Sequence, residues 1–596
     1  MHSFTMSGVL GKKQDSDARP SSVHSSTATS EGDRRTSVAR QSNRSTKSAV
    51  SYLSRMILDD DDDEDDVPWD LVMMVHESTS FGSSGELSRG IRLSKVMRGI
   101  AGLFASPAGT LQTYKLSEQT EKIQYFVSHN WSVGRIDKFL ALSLAFNFRW
   151  AMLATLILTV GLGVLTASGN VPTVTDPSQT PPVAGFLGRL LLLPASGLFF
   201  FVGHDLGALF GWKGPLTFLD KACIHQVDPE LKEQGIQKLG AFLRISERML
   251  TLYSDVYLLK LWTIYEVANF LALKSVDRLE VIPVHMPRIV FLALPVGFLY
   301  GLLTMLLRTF TGISSFGYII LVFTGTFYML VFRRWARHKK DTQQRLRNFE
   351  VRDCICAVES DRQVVYQKIA TLMRFTKRVD RLASVDEALT AFNMEVRRQM
   401  PSAFKMIFGW TTLTYEHYIF MGFAIVAPTS VDYLGRLQEE EHGLQALKRG
   451  CLDLMWILTF YPISFYLAEI IASRWLHWKG VWQCFIFLTA YLIVGVPSVS
   501  LHMLFSDIAS RPEDDEIGVM IMVGSFMVSS GITFLVVLTS RLVRARKGKR
   551  NGPHALAATR TMSDMLDSAA SMGSRKSKTS FGSAVTECDD NQSVYS

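Results

Sequence analysis

Four side chains that can transfer protons or bind metal ions follow short apolar segments in the first half of the sequence. They are His129, Asp220, His225 and Glu266. The segment before His129 is an apolar, β-prone run that ends in Ser128. Such a run is typical of the C-terminal end of a buried parallel strand, the edge at which α/β proteins usually bind ligands. The four side chains can therefore converge at one edge of a sheet, where acid–base chemistry or metal binding would take place.

Each of these residues also has a structural interpretation. Their separations fit no short metal-binding motif, so we predict no metal site. Asp220 can cap the loop before Pro229, and His129 can form a backbone hydrogen bond at the end of its strand. The sequence contains no glycine-rich phosphate loop, no His-Glu-x-x-His motif and no Gly-x-Ser-x-Gly motif. Structural and catalytic roles thus both stay open.

The elements that would position these residues alternate between strand and helix. Apolar β-prone runs predict strands over residues 125–128, 217–219, 249–253 and 281–284, and periodicity predicts helices over residues 229–245 and 257–273. Alternating strands and helices with short connections are typical of a parallel sheet. We expect the four strands to be neighbours in one such sheet.

Part of this region resembles the Toll/interleukin-receptor (TIR) domain. The pattern of that family is an apolar strand, Ser, Tyr, and then Trp-Cys-x-x-Glu-Leu; the matching positions here are Ser254, Tyr257, Trp262 and Glu266, with Thr263 in place of Cys. Residues 280–284, Glu-Val-Ile-Pro-Val, are similar to the next strand of the family. Residues 219–226, Leu-Asp-Lys-Ala-Cys-Ile-His-Gln, resemble the related heterokaryon-incompatibility domain. The resemblance implies a cytosolic α/β parallel-sheet module.

The resemblance also implies a chemistry. In TIR enzymes that cleave NAD, the Glu of this motif promotes the loss of nicotinamide, and Glu266 matches it by position. A carboxylate suits this step because departure of the leaving group creates an oxocarbenium-like centre that a nearby negative charge stabilises. NAD is then a possible substrate, and the pocket candidates are Ser128, His129, Asp220, His225, Tyr257 and Trp262. Many TIR domains only assemble with partners, and Glu266 would then pair with Lys260 or Arg278.

Hydropathy predicts a polytopic membrane protein. A helix that crosses a bilayer needs roughly 20 mostly apolar residues. We place eight spans at residues 150–167, 185–203, 289–307, 316–332, 406–427, 454–471, 481–501 and 517–542. Basic clusters at residues 333–340, 474–479 and 541–550 fall on one side with this count, and cytoplasmic loops carry the excess of Lys and Arg. We therefore predict an integral membrane protein with both termini cytoplasmic.

The predicted α/β module is split by the spans. A first membrane hairpin, residues 150–203, leaves and re-enters the same face, so the strand before it can join the strands after it. The segments in chain order are a Ser-rich tail (1–50), an acidic and polar juxtamembrane region (51–120), the first piece of the module (121–149), membrane hairpin 1 (150–203), the main TIR-like segment (204–288), membrane hairpin 2 (289–332), a basic cytosolic α/β extension (333–405), a four-span bundle (406–542) and a basic then disordered tail (543–596). In the extension, residues 348–357 resemble a strand and residues 359–374 a helix. Residues 380–402 predict an amphipathic helix with Ala388, Leu389, Phe392 and Val396 on one face.

Ionisable residues inside predicted spans suggest another function. Glu416 and His417 fall in the middle of the fifth span, and Glu469 falls near the inner end of the sixth. Charges in lipid are costly, and such residues mark ion or proton pathways or hold a bundle together. They favour either a channel or transporter, or a structural hydrogen-bond set between Glu416 and His417.

The two tails are too polar to form a core and are predicted to be disordered. Ser37 and Ser563 follow basic residues and are candidate phosphorylation sites. Much of the net charge of +8 lies in the basic clusters next to spans, and no soluble segment contains a basic stripe interleaved with aromatics, so we expect no nucleic-acid partner.

The sequence as a whole predicts a polytopic α-helical membrane protein of about eight spans with a split cytosolic α/β module. Its expected function is that of a membrane-tethered signalling or assembly platform. Its partners would be the lipid bilayer and other copies or other TIR-like domains. The alternatives are an NAD glycohydrolase acting through Glu266, with no certain cofactor, and a channel or transporter gated by the module.

Overall fold

The computed structural model describes residues 74, 76–82, 85–171, 173–175, 183–274, 278–311, 316–376, 378–408, 413–438, 448, 450 and 452–474, and single positions between 516 and 535. For residues 307–311 and 316–326 it describes the backbone alone. The predicted seventh span, Ser37 and Ser563 lie outside the described residues, and of the predicted eighth span only single positions are described.

Eight strands occur in the described part of the chain. They are β1 (Arg89–Arg92), β2 (Glu118–Gln119), β3 (Ile123–Ser128), β4 (Thr173–Thr175), β5 (Val183–Gly185), β6 (Leu216–Phe218), β7 (Ser246–Tyr253) and β8 (Leu279–Pro283). Six of them form one sheet in the order β2-β1-β6-β3-β7-β8, while β4 and β5 form a separate antiparallel pair. Four neighbours, β6, β3, β7 and β8, are parallel to one another.

The predicted split of the sheet is confirmed. Tyr125 and Phe126 of β3 pair with Thr217 and Phe218 of β6, although the whole first helical hairpin separates them in sequence. The phenyl rings of Phe126 and Phe218 stack with centroids 4.5 Å apart, and both residues are buried. The pairing and the stacking together bury the two halves of the module in one core, so neither half has a complete sheet without the other.

Strands β1 and β2 were not predicted, and the expectation of only a polar juxtamembrane region over residues 51–120 was incomplete. Both strands are antiparallel additions at the β6 edge, and β1 pairs with β6 through Ile91 and Thr217. Ile91 is fully buried, whereas the flanking Arg89 and Arg92 are half-buried and bond to Ser117 and Glu118. A four-residue strand with one buried apolar side chain has too little periodicity to be recognised in sequence.

The helices cover most of the remaining described residues. They are α1 (Leu93–Ala101), α2 (Leu111–Lys115), α3 (Arg135–Leu142), α4 (Phe148–Ala167), α5 (Leu193–Leu209), α6 (Asp220–Cys223), α7 (Pro229–Gln237), α8 (Leu239–Ile245), α9 (Leu261–Leu273), α10 (Met286–Phe291), α11 (Ala293–Thr311), α12 (Phe316–Arg347), α13 (Asp361–Phe375), α14 (Val385–Phe408), α15 (Tyr415–Tyr433) and α16 (Tyr461–Arg474). The predicted amphipathic helix is confirmed as α14, whose apolar face, Ala388, Leu389, Phe392 and Val396, is buried.

The prediction of a strand at residues 348–357 was wrong. This segment contains a short 3₁₀ helix, Val351–Asp353, and a single parallel bridge between Ile355 and Lys260. The extension at residues 333–405 is therefore helical where it is described. A β-prone run forms a strand only when a free sheet edge lies beside it, and here the segment instead passes between α12 and α13.

In the part of the chain that the structure describes, four helical segments are long and apolar enough to cross a membrane. They are Arg135–Ala167, Gly188–Leu209, Met286–Leu306 and Leu452–Ser473, and they match the predicted first, second, third and sixth spans. Along α4 a row of apolar side chains faces outward, with Trp150 68% exposed and Ile157 64% exposed. An apolar surface of this kind is costly in water and suits contact with lipid.

The predicted fourth span lies within α12, and the fifth was misplaced. Instead of one helix over residues 406–427, α14 ends at Phe408 and a new helix, α15, begins at Tyr415 with Thr414 as its N-cap. Helix α15 is buried along most of its length. Gly297 of α11 allows the closest approach, because a Cβ atom there would lie 2.1 Å from the carbonyl oxygen of Ala424. Small residues bring helices together in this way in membrane bundles.

Candidate functional site

Ser128, Tyr257 and Glu266 form a hydrogen-bonded chain at the C-terminal edge of the sheet. The Ser128 hydroxyl oxygen lies 2.5 Å from the Tyr257 hydroxyl oxygen and 2.5 Å from Glu266 Oε2. When Glu266 is ionised, Tyr257 donates to Ser128 and Ser128 donates to the carboxylate, because a hydroxyl carries only one proton. Ser128 and Tyr257 are buried, and Glu266 is partly exposed.

Local structure explains why these three residues meet. Ser128 is the last residue of β3, and Glu266 lies in the second turn of α9, which follows β7. The backbone between β7 and α9 turns through a 3₁₀ helix, Tyr257–Leu259. The Thr263 hydroxyl donates to the carbonyl groups of Tyr257 and Lys260, at 2.5 and 2.9 Å. Thr263, the residue that replaces the Cys of the TIR pattern, thus fixes the turn that presents Tyr257.

The environment of Glu266 changes its protonation. Burial raises the pKa of the Glu266 carboxyl group to about 8; the hydrogen bond from Ser128 opposes this rise, and the negative charge of Asp220 adds to it. Burial also raises the pKa of the Tyr257 hydroxyl group, so Tyr257 stays a neutral donor. At neutral pH Glu266 is mostly protonated, and it ionises when the pH rises or when a cation binds beside it.

A second cluster lies in the loop after β3. Lys138 Nζ lies 5.0 Å from the ring centroid of Phe104 and 4.8 Å from that of Trp131. The His129 ring contacts the same two rings, with centroid distances of 5.0 and 4.7 Å. Trp131 Nε1 donates to Asp220 Oδ2 at 2.9 Å. The loop of β3 and the start of α6 are therefore tied together next to Glu266, whose pKa Asp220 affects.

In this cluster the His129 ring is neutral, whereas the Lys138 ammonium group has no hydrogen-bond acceptor among the described atoms. Burial lowers the pKa of His129 to about 4, against the opposing effect of Asp220, so its imidazole is neutral. The backbone carbonyl group of Val127 opposes this lowering of the pKa as well, because it favours the charged imidazole. Lys138 is fully buried, and no described atom accepts a hydrogen bond from its ammonium group.

Three predicted site residues have other roles. His225 Nδ1 accepts from the Asp228 N–H at 2.9 Å, and its ring contacts Tyr114, which places it outside both clusters. Trp262 Nε1 donates to Asp361 Oδ2 at 3.2 Å and so holds α13 against α9. Asp220 does not cap the loop before Pro229; Asp228 does, by accepting from the backbone N–H groups of Glu230 and Leu231.

The alternative pairing of Glu266 was wrong. Neither Lys260 nor Arg278 forms an ion pair with it among the described residues, and its hydrogen-bond partner is Ser128. The described residues also contain no group of three His, Cys, Asp or Glu side chains that could hold a metal ion. The polar residues of this edge are joined by hydrogen bonds.

The polar residues of the apolar bundle are not arranged as predicted. Glu416 is exposed in the first turn of α15, and His417 Nδ1 bonds Thr414 at the N-cap instead of Glu416. Adjacent residues of a helix point in different directions, so the predicted pairing was sterically unsuitable. Glu469 is buried and accepts a hydrogen bond from Tyr418, which joins α16 to α15. These contacts hold helices together.

The sequence did not reveal Lys138, Phe104 or Lys221 as part of the site. Lys138 is one charged residue on a short helix, and Phe104 follows a turn that has no strand or helix periodicity. Lys221 Nζ donates to the carbonyl groups of Leu103 and Ser106, at 3.1 and 2.8 Å. Only Lys221 had a signal, because it lies next to Asp220 in the heterokaryon-incompatibility pattern.

Two grooves of the described structure lie away from these residues. One of about 980 Å³ lies at the opposite, N-terminal edge of the strands, lined by residues that include Lys122, Arg244 and Glu247. Another of about 420 Å³ lies between the Tyr257–Leu259 turn and the end of α12. Neither groove is lined by Ser128 or Glu266.

No family model, no curated protein and no solved structure matches the chain. The TIR-like interpretation therefore stays a prediction that depends on the residue pattern given above.

Proposed function

We propose that the protein is a membrane-tethered signalling or assembly platform whose TIR-like α/β module is built around a membrane hairpin. The pairing of β3 with β6 carries this proposal. The sheet needs strands from both ends of the α4–α5 hairpin, so the module cannot separate from the apolar helices without losing its core. A signalling module attached in this way stays at the bilayer surface.

Contacts at the junction support mechanical coupling between the two parts. The Arg288 guanidinium group at the start of α10 donates to the Asp137 carboxylate on α3, and Asp137 is buried. On the other side of the sheet, the Tyr253 hydroxyl group lies 2.8 Å from the Thr342 hydroxyl group of α12. A tilt of α10 or α12 in the membrane would therefore move the ends of β7 and β8.

Self-association of the full-length protein in bilayers tests the platform function. Donor-labelled and acceptor-labelled copies are reconstituted together in proteoliposomes at increasing protein-to-lipid ratios. A platform predicts energy transfer above the level of random encounters, and transfer that unlabelled protein competes away. Transfer equal to the random level at every ratio would refute self-assembly.

A second candidate function, NAD cleavage, is favoured by the hydrogen-bonded chain in which the Tyr257 and Ser128 hydroxyl groups lead to the Glu266 carboxyl group. In this proposal the cationic nicotinamide ring binds beside Glu266 and promotes its ionisation. The carboxylate then stabilises the oxocarbenium-like ribosyl centre as the bond to nicotinamide breaks. The electron pair of that bond leaves with neutral nicotinamide, and water adds to the ribosyl carbon. Ser128, held by Tyr257, keeps the carboxylate oriented.

The test of this second function is NAD consumption by the purified full-length protein in nanodiscs, with and without antibody-induced clustering. Glu266→Gln should abolish consumption while expression and insertion stay normal. Glu233→Gln, a change at an exposed glutamate of α7, is the matched control and should keep full activity. If the wild type consumes no NAD in either state, the enzyme function is removed and the platform function is unaffected.

The channel or transporter alternative has less support. Its two main residues, Glu416 and His417, lie at a helix start and not along one pathway. Ion flux into proteoliposomes measures it directly.

A further inference from the structure

We propose that the loop after β3 holds a binding site for a phosphate group, formed by Lys138, His129 and Asn130 beneath the ring of Phe104. This site is independent of self-assembly and of NAD cleavage. The argument starts from three buried polar groups that have no hydrogen-bond partner in the described part of the chain.

The first group is the ammonium of Lys138. The residue is fully buried, and the faces of Phe104 and Trp131 lie about its charge. Two aromatic faces offset part of the cost of removing an ammonium group from water, but they accept none of its three N–H hydrogen bonds. Asp220 acts on Lys138 only through space, since its oxygens accept from Trp131 Nε1 and from the Lys221 backbone N–H.

The other two groups lie in the same loop. His129 Nε2 and Asn130 Nδ2 are both buried and without a partner among the described atoms. The His129 ring packs on the same Phe104 and Trp131 rings as Lys138 does. Asn130 Oδ1 already accepts a hydrogen bond from the Ser132 N–H at 3.0 Å. The group of Asn130 that still lacks a partner is therefore the NH₂ donor. Buried polar groups are nearly always satisfied, and three exceptions between His129 and Lys138, in the loop after β3 and the first turn of α3, indicate a missing ligand.

The chemistry of the three groups selects the ligand. Lys138 and Asn130 need acceptor oxygens and, for the ammonium, a negative charge. A neutral imidazole has one N–H donor and one acceptor nitrogen, so a ligand that carries both oxygens and an O–H satisfies His129 Nε2 in either tautomer. A phosphate group near neutral pH carries both charged oxygens and an O–H. A carboxylate lacks the O–H, and a neutral sugar lacks the charge.

A strained segment precedes the turn that carries Phe104. Gly99, Ile100 and Ala101 adopt left-handed backbone conformations, with φ of 62°, 55° and 51°. This conformation is unfavourable for a β-branched residue such as Ile100, and strain of this kind concentrates in segments that move at functional sites. The turn that follows carries Phe104. Opening of this segment would uncover Lys138 and free Lys221, which now bonds the carbonyl groups of Leu103 and Ser106.

The phosphate group has two candidate sources. Lys138 lies on α3, which continues through a π-helical turn into α4, so the site is about 15 Å from the start of that helix at 1.5 Å per residue. That distance admits a phospholipid headgroup as well as a soluble phosphate compound. The shared chemistry is the phosphate group, and the experiment separates the two sources.

The experiment uses the full-length protein in nanodiscs of neutral lipid, with thermal unfolding followed by intrinsic fluorescence. In one arm inorganic phosphate is added at constant ionic strength, with chloride as the balancing anion. In the other arm phosphatidic acid replaces part of the neutral lipid. Binding predicts a rise in Tm of about 4 °C at saturation in at least one arm. A response to phosphatidic acid alone assigns the site to lipid.

Lys138→Met is the decisive variant, and Lys232→Met, at an exposed lysine of α7, is its matched control. Lys138→Met keeps the aliphatic stem between the rings and removes the charge. Without ligand its Tm should equal or exceed that of the wild type, because an uncompensated buried charge is lost. Its ligand response should disappear, while Lys232→Met should respond as the wild type does.

Asn130→Ala gives a second measurement if Lys138→Met does not fold, and it should weaken the response about tenfold in concentration. Glu266→Gln should keep the full response, which separates this site from NAD cleavage. The proposal is overturned if neither arm shifts the Tm of the wild type. It is also overturned if Lys138→Met or Asn130→Ala responds as the wild type does, or if Lys138→Met lowers the Tm and leaves the ligand response intact.

Discussion

Replacing Glu266 by Gln should make the protein less sensitive to alkaline pH. Burial raises the pKa of Glu266 to about 8 from an ordinary value of 4.5, so between these values the folded state binds a proton that the unfolded state has released. The stability that this proton contributes is complete below pH 4.5 and is lost as the pH rises through 8. Gln resembles the protonated form and has no such loss.

The size of the effect follows from the shift. Stability falls by about 1.4 kcal/mol per pH unit in this window, or about 2 kcal/mol between pH 6 and pH 8, because ionisation has begun by pH 8. Glu266 is partly exposed, which reduces the expected difference to about 1 kcal/mol. For a domain of this size that corresponds to about 2–4 °C in Tm.

The assay is thermal unfolding in nanodiscs at pH 6 and pH 8. Between pH 6 and pH 8 the Tm of the wild type should fall by about 2–4 °C more than the Tm of Glu266→Gln does. Glu233→Gln, the exposed control, should follow the wild type. If Glu266→Gln and the wild type lose the same Tm between pH 6 and pH 8, Glu266 is not protonated in the folded protein, and the account of its environment is wrong.

Two further predictions concern the bundle and its junction with the sheet. Gly297→Ala should lower the Tm by several degrees, because its Cβ would lie 2.1 Å from the carbonyl oxygen of Ala424. The control is Gly161→Ala, whose Cβ would have no atom within 4 Å, and it should leave the Tm unchanged or raise it. Equal changes in Tm for the two variants would contradict the contact between α11 and α15. Asp137→Asn should speed backbone amide hydrogen exchange in β8, because Arg288 at the start of α10 loses its buried ionic partner. Unchanged exchange in β8 would show that this ion pair does not couple the sheet to the apolar helices.

The sequence predicted those elements of the fold whose apolar run or apolar periodicity extends over the whole element. The run that ends in Ser128 is apolar throughout and ends in polar residues, so β3 and its parallel neighbours could be recognised, as could the face of α14 with Leu389 and Phe392. The sequence did not predict β1, because a strand that buries only Ile91 depends on a sheet edge assembled from elsewhere. It misplaced α15 because hydropathy does not register the new start at Thr414.

Part of the candidate site was predictable because its residues lie on elements that the sequence pattern reveals. Ser128 ends β3, Tyr257 begins the turn before α9, and Glu266 lies in the second turn of α9; each element has a recognisable sequence pattern, and the structure brings the three residues together. Trp262 is only four residues from Glu266, yet its indole bonds Asp361, since α13 packs across α9 from a distant part of the chain. Lys138 had no signal, because the rings that surround it come from separate loops.

A cryo-electron microscopy structure of the full-length protein in a lipid nanodisc tests the central claim most directly. The account predicts that Tyr125 of β3 lies beside Thr217 of β6 in one parallel sheet. It also predicts that α4 and α5, which separate these strands in the chain, cross the bilayer. A sheet in which β3 and β6 are unpaired, or a hairpin that lies outside the lipid, would contradict it.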